Sequence, residues 1–195
     1  MKILLVEDNE FHIEAAQDQL REHELTIIRS FNELYPWRRG WDGPERQGFT
    51  LSQYDAVLTD INLPSPVDTS SGLGNMEGPT GLLVMLKALE SGVKYIGAIT
   101  DVSHHSKDPI AKGLDMWIHA GKPIEAGNSR IFLECYNACC YDSGDPNYEK
   151  WGGGKSRKNW GRLLRLLTGR TLPCDEGYLK YYAKKEKSEP SSAQS

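Results

Sequence analysis

Acidic, hydroxyl and amine side chains accompany four of five short apolar runs in this 195-residue sequence. Glu7 and Asp8 follow the first run, and Asp60 ends the third. Thr100 ends the fourth run, and Lys122 follows the fifth. Carboxylate oxygens are the ligands that Mg²⁺ prefers, and a lysine ammonium is a compact charge that pairs with phosphoryl oxygens. These residue types together predict phosphoryl-transfer chemistry with Asp60 as the nucleophile.

The elements that must position these residues alternate along the chain. Short apolar runs predict strands at residues 2–6, 25–29, 54–59, 95–100 and 116–120. Helical spacing predicts helices at 10–21, 80–90, 106–113 and 131–141, with a short one opening at 30–33. In the helix at 80–90, the inner face is expected to consist of Leu82, Leu83, Leu86 and Leu89. Strands that alternate with helices predict a parallel sheet covered on both faces. Ligands of such sheets bind beyond the carboxyl ends of the strands. The five residues named above lie at or just after those ends in the predicted sheet.

A divalent cation would offset the repulsion among the carboxylates that this sheet edge brings together. We expect Asp8 and Asp60 to bind Mg²⁺, with Glu7 acting directly or through water and the backbone carbonyl of Asn62 adding an oxygen. Lys122 and Thr100 are predicted to contact phosphoryl oxygens. Each residue alone also has an ordinary explanation, such as a helix cap or a turn. Their order along the strands is what favours a site.

Two motifs strengthen this prediction. The sequences KILLVEDN at 2–9 and YDAVLTDINLP at 54–64 resemble the first strand and the phosphoacceptor strand of response-regulator receiver domains. Ile99-Thr100 and Lys122-Pro123 resemble further motifs of that family, so the resemblance covers about residues 1–141. It implies a flavodoxin-like, doubly wound (βα)5 fold with five parallel strands.

The resemblance also implies a function. Asp60 would accept a phosphoryl group from a histidine kinase or phosphotransfer protein, with Mg²⁺ as the cofactor. The protein would then change conformation and bind a downstream protein target, or form a homodimer. Such a protein is a cytoplasmic signalling component rather than an enzyme that turns over a substrate.

The sequence departs from the family at several positions. Asp101 follows the threonine where the family carries a small residue, and either His119 or Trp117 stands for the family's switch aromatic. Insertions are predicted at about 36–53 and 65–79. These departures support an alternative, a receiver-like interaction module that is not phosphorylated. An aspartyl-phosphate phosphatase fits poorly, because position 62 is Asn and Asp60 follows the third strand.

The charge is distributed unevenly. The chain carries a net charge of −4, with 23 Lys and Arg against 27 Asp and Glu. Residues 150–187 contain 11 basic and 3 acidic residues, which gives +8 there and −12 elsewhere. We therefore predict a basic C-terminal extension at 142–187 and a disordered tail at 188–195. An amphipathic helix over 155–169 is expected to pack its apolar stripe on the acidic body. The alternatives are binding to nucleic acid, an anionic membrane surface or a partner. The sequence contains no apolar run long enough to span a membrane.

Overall fold

The structure is a computed structural model that describes residues 1–34, 49–64, 77–100, 122–135 and 157–170. Several predictions fall outside these ranges. They are the strand at 116–120, the helix at 106–113, most of both insertions, the tail, and the residues Asp101, Trp117 and His119.

Within the described ranges, six strands form one sheet, which is parallel except at one edge. The strands are β1 (Lys2–Val6), β2 (Glu24–Ile28), β3 (Ala56–Asp60), β6 (Tyr95–Thr100), β7 (Ile124–Ala126) and β8 (Ser129–Cys135). Their order is β2-β1-β3-β6-β8-β7, and only β7 runs antiparallel to its neighbour. The five parallel strands follow the flavodoxin-like order, so the predicted fold class is confirmed. A separate hairpin pairs β4 (Leu63–Pro64) with β5 (Glu77–Gly78).

Helices cover both faces of the sheet, as the apolar character of the strands requires. In the part of the chain that the structure describes, the helices are α1 (Glu10–Gln19), α2 (Phe31–Leu34), α3 (Thr80–Glu90) and α4 (Trp160–Thr168), and a 3₁₀ turn spans Leu51–Gln53. α3 buries Val84, Met85 and Ala88 against one face, whereas α1 and α4 cover the other. Among these described helices, none combines the length and apolar character that crossing a membrane requires.

The prediction for α3 was partly wrong about its inner face. Leu83 and Leu86 were expected inside, but they are 48% and 61% exposed. Gly81 lies against the sheet instead, together with Val84 and Ala88. Apolar residues occur almost all round this helix, so their spacing alone does not determine which face packs.

α4 belongs to one of the two hydrophobic clusters of the core, although it lies in the predicted basic extension. Trp160, Leu163 and Leu167 are fully buried, and α4 packs on β6 and β8 in a cluster that also contains residues of β1 and β3. Gly97 of β6 permits this approach, because a Cβ there would lie 2.7 Å from the Leu163 side chain. The predicted packing of the apolar stripe is confirmed, and the packed body extends beyond residue 141.

Among the described residues, the fifth parallel strand is β8, which lies where no strand was predicted. We expected a helix to begin at Ile131, but residues 130–135 pair with β6. Phe132 packs on the α4 side, whereas Ile131 and Leu133 pack on the α3 side. A short run that is apolar on both faces fits a buried strand as well as a helix, which explains the error.

Candidate functional site

The site lies where the strand order reverses, between the carboxyl ends of β1 and β3. The chain leaves β1 toward β2 on one side of the sheet and returns to form β3 on the other, which opens a crevice there. Glu7 and Asp8 follow β1, and Asp60 is the last residue of β3. The backbone N–H of Glu7 still donates to Ile28 of β2, at 3.0 Å, so the sheet fixes the start of this acidic pair.

Asp60 is held firmly by its own turn. Its Oδ1 accepts hydrogen bonds from the backbone N–H groups of Ile61, at 2.6 Å, and Asn62, at 3.4 Å. Gly81, in the first turn of α3, lies so close that a Cβ there would collide with the Asp60 carbonyl oxygen. The Asp60 residue is only 5% exposed. Its carboxylate is thus pre-oriented by the backbone and by the close approach of α3.

The cation at this site is Lys158, which the sequence analysis did not select. Its Nζ lies 2.7 Å from Oε2 of Glu7 and 2.8 Å from Oδ2 of Asp60, and its side chain is 1% exposed. Lys158 comes directly before Asn159, whose side chain accepts from the N–H of Arg162 and caps α4. α4 therefore delivers an ammonium group to the nucleophile that we predicted.

Burial and charge act against each other in this cluster. Burial raises the pKa of Glu7 to about 7, although the Lys158 charge opposes the shift; the nearby Asp60 adds to it. Burial also disfavours the charged form of Lys158, but Asp60 and Glu7 overcome this and raise the pKa of its ammonium above the ordinary value. Lys158 therefore remains charged at neutral pH, whereas Glu7 titrates near neutrality.

The three carboxylates fit a divalent cation. Ligand-capable atoms of Glu7, Asp8 and Asp60 all lie within 4.8 Å of one another. Glu7 already accepts hydrogen bonds at both oxygens, from Lys158 and from the backbone N–H of Asn9 at 3.1 Å. Asp8 is partly exposed. Three acids against one ammonium leave excess negative charge, and donors that are all oxygen suit Mg²⁺.

Thr100 also reaches this edge of the sheet. It is 3% exposed at the end of β6, and its hydroxyl accepts a hydrogen bond from the side-chain amide of Asn62 at 3.4 Å. β6 is the neighbour of β3, so this contact joins the Asp60 turn to the next strand. The structure therefore brings five of the six predicted residues, Glu7, Asp8, Asp60, Asn62 and Thr100, to one edge. The predicted metal contact of the Asn62 carbonyl stays a prediction.

The structure does not bring Lys122 to this site. Lys122 is exposed and leads into β7, the edge strand that lies three positions from β3. At about 4.8 Å per strand, that separation is about 14 Å, farther than a lysine side chain extends. The predicted placement of Lys122 is corrected accordingly, because the ammonium beside Asp60 belongs to Lys158.

One signal in the sequence points to Lys158. Helices that cross between parallel strands run back along the sheet, so their N-termini lie at the edge where the strands end. A lysine just before an amphipathic helix is therefore placed near the site, whatever the length of chain that precedes it. The predicted helix over 155–169 carries this signal, whereas the prediction of Lys122 rests on the Lys122-Pro123 motif.

No protein-family model and no curated protein matches this chain. Solved structures similar to it include the Mn²⁺-bound form of response regulator Rcp1, at 23% identity over 57% of this chain and 73% of that chain, with a TM-score of 0.34. They also include the N-terminal domain of a response regulator/sensory box/GGDEF 3-domain protein from Carboxydothermus hydrogenoformans. That similarity covers 95% of this chain and 99% of that chain, at 12% identity and a TM-score of 0.39.

Both neighbours are response regulators, the class of protein that the sequence motifs resemble. The strand order and the side chains at the site, rather than these similarities, support a function.

Proposed function

We propose that this chain is a receiver domain that accepts a phosphoryl group on Asp60 in a Mg²⁺-dependent reaction. One observation carries the proposal. At the switch point of a doubly wound sheet, a carboxylate held by backbone N–H groups lies 2.8 Å from a buried ammonium, and two further acids lie beside it. This arrangement suits a nucleophile, a phosphate-pairing cation and a metal site.

The reaction that we propose is a transfer to the Asp60 carboxylate. An Asp60 oxygen attacks phosphorus, the N–P bond of a phosphohistidine donor breaks, and the leaving imidazole takes up a proton. The product is an acyl phosphate on Asp60. When bound, Mg²⁺ supplies charge that offsets repulsion between the acids and the phosphoryl group. Asp8 and Asp60 would hold it, with Glu7 and the Asn62 carbonyl as further ligands.

Lys158 and Thr100 would contact the new phosphoryl group. The Lys158 ammonium lies 2.8 Å from one Asp60 oxygen, so a small movement would let it pair with a phosphoryl oxygen. The Thr100 hydroxyl, which accepts from Asn62 in this structure, would donate to another oxygen. Both movements would displace α4 and β6, and the surface of the domain would change as a result.

The partners follow from this chemistry and belong to the same proposal. A histidine kinase or a phosphotransfer protein would supply the phosphoryl group, and a downstream protein would bind the changed surface. The protein would act in the cytoplasm as a signalling component without substrate turnover. Hydrolysis of a generic phosphate ester with multiple turnovers would contradict this part of the proposal.

A receiver-like module that is never phosphorylated is the second candidate. Lys158 already pairs with both Glu7 and Asp60, and a buried ion-pair network of this kind does not need a metal to hold the acids together. Mg²⁺ affinity separates the two candidates, because the first requires binding at millimolar Mg²⁺ and the second does not.

The part of the basic segment that the structure describes does not favour nucleic-acid binding. Lys158 and Arg162 are buried, and Arg162 lies 3.4 Å from the buried Glu134. Arg157 contacts Glu14 at 3.5 Å. Within residues 157–170, these basic groups therefore offset acids of the body rather than form a solvated positive face.

Acetyl phosphate with Mg²⁺ tests the proposal directly. We expect the intact mass to rise by one phosphoryl group, and we expect no rise with EDTA or in Asp60→Asn. Beryllofluoride with Mg²⁺ should change tryptophan fluorescence, because the Trp160 ring lies 5.8 Å from the Lys158 ammonium. A wild-type protein whose mass and fluorescence both match those of Asp60→Asn would refute the phosphoacceptor role.

A further inference from the structure

We propose that His12 and Gln19 of α1 are positioning residues that hold the main chain of Lys158 so that its ammonium reaches Glu7 and Asp60. The significance for phosphoryl transfer rests on the proposed function, but the geometry stands apart from it. His12 and Gln19 are seven residues apart, which places them two turns apart on one face of the helix.

These two side chains engage both peptide groups of Lys158. The backbone N–H of Lys158 donates to Nδ1 of His12 at 3.4 Å. The Lys158 carbonyl accepts from Nε2 of Gln19 at 3.2 Å. Lys158 precedes α4 by two residues, so the helix itself satisfies neither group. Buried peptide groups without partners are costly, and α1 supplies those partners here.

The same two residues also hold the beginning of α4. Oε1 of Gln19 accepts from the N–H of Gly161 at 2.9 Å, and the His12 carbonyl accepts from the indole N–H of Trp160 at 3.1 Å. Contacts on both sides of Lys158 therefore fix its Cα relative to α1. α1 begins three residues after Glu7. The positions of both Lys158 and Glu7 are therefore fixed relative to α1.

Positioning matters because a lysine side chain has four rotatable bonds and loses much rotamer freedom when it is ordered. Lys158 lies 151 residues from Glu7 in sequence, so no local turn can set the distance between them. A main chain held at both peptide groups leaves only the side-chain torsions to be ordered. We infer that loss of either contact lets the ammonium leave the acids for part of the time.

The test compares the same substitution at two positions of α1. Gln19→Leu removes both contacts of that side chain, whereas Gln17→Leu alters an exposed glutamine and serves as the control. Gln19→Glu is the second variant, because it keeps the acceptor for Gly161 but cannot donate to the Lys158 carbonyl. All are compared well below their melting temperatures, so that folded protein is measured.

The first readout is labelling of Lys158 by an amine-acetylating reagent, quantified by peptide mass spectrometry against the exposed Lys94. We expect labelling of Lys158 to rise roughly fivefold to tenfold in Gln19→Leu and in Gln19→Glu, the change that loss of one or two hydrogen bonds allows. Gln17→Leu should match the wild type. Equal labelling in all four proteins would overturn the proposal.

The second readout is the rate of Asp60 phosphorylation by acetyl phosphate with Mg²⁺. It should fall by a similar factor in both Gln19 variants, while the rate in Gln17→Leu stays at the wild-type value. An unchanged rate together with raised labelling would overturn the positioning role. If wild-type Asp60 takes no phosphate, the proposed function fails, and the labelling experiment alone still decides whether Gln19 holds Lys158.

Discussion

Replacement of Lys158 by Met should cost this protein about 3 to 5 kcal/mol of unfolding free energy at pH 7.5, the range for removing one partner of a buried ion pair. Water cannot solvate the carboxylates that lose their partner, because the site is buried: the exposed fractions are 1% for the Lys158 side chain, 0% for Glu7 and 7% for Asp60. Methionine keeps much of the apolar stem, which leaves the lost ammonium as the main change. Lys122→Met is the matched control, because Lys122 is exposed and its replacement should stay within about 0.5 kcal/mol.

Urea unfolding of both variants measures this difference. The loss in Lys158→Met should shrink as the pH falls below about 7, because Glu7 becomes protonated there, and it should also shrink with added Mg²⁺, which replaces the missing positive charge. If Lys158→Met and Lys122→Met are equally stable at pH 7.5, the buried ion pair does not hold the site as described.

Three further predictions concern the residues around this pair. Because the pKa of Glu7 is raised from 4.5 to about 7, the folded state holds a proton that the unfolded chain releases. Stability should therefore fall as pH rises from about 4.5 to 7, by at most about 3 kcal/mol, and Glu7→Gln should remove that fall in pH-dependent melts. Gly81→Ala should cost about 1 to 3 kcal/mol and weaken Mg²⁺ binding in titrations, because its Cβ would collide with the Asp60 carbonyl. Gly161→Ala, with its nearest neighbour at 3.5 Å, should be tolerated. A chain cut after residue 141 should lose cooperative melting by circular dichroism, whereas residues 1–170 should retain it, since α4 completes the core. A cooperative melt of 1–141 would contradict this role of α4.

The first half of the fold was predictable because its signals are local. β1 and β3 are short aliphatic runs that end in acids, and both strands and the acids lie where the sequence placed them. Parallel pairing then dictates that Glu7, Asp8 and Asp60 meet, since the carboxyl ends of adjacent parallel strands share one edge. No long-range information was needed for this part of the site.

The second half was not predictable in the same way. β8 is short and apolar on both faces, so periodicity could not separate it from a helix. The choice of lysine depended on which strand came fifth, and that error carried over to Lys122. A burial argument would have helped, because five apolar residues on a nine-residue helix require a sheet face to cover them.

The most direct test of the central claim is to identify the residue that carries phosphate. The wild-type protein would be treated with acetyl phosphate and Mg²⁺, and borohydride would then reduce any acyl phosphate, which converts an aspartyl phosphate to homoserine. We predict that peptide mass spectrometry finds this conversion at Asp60 and at no other aspartate, and that it is much reduced in Lys158→Met but not in Lys122→Met. Conversion at another residue, or none in a protein that binds Mg²⁺, would contradict the account.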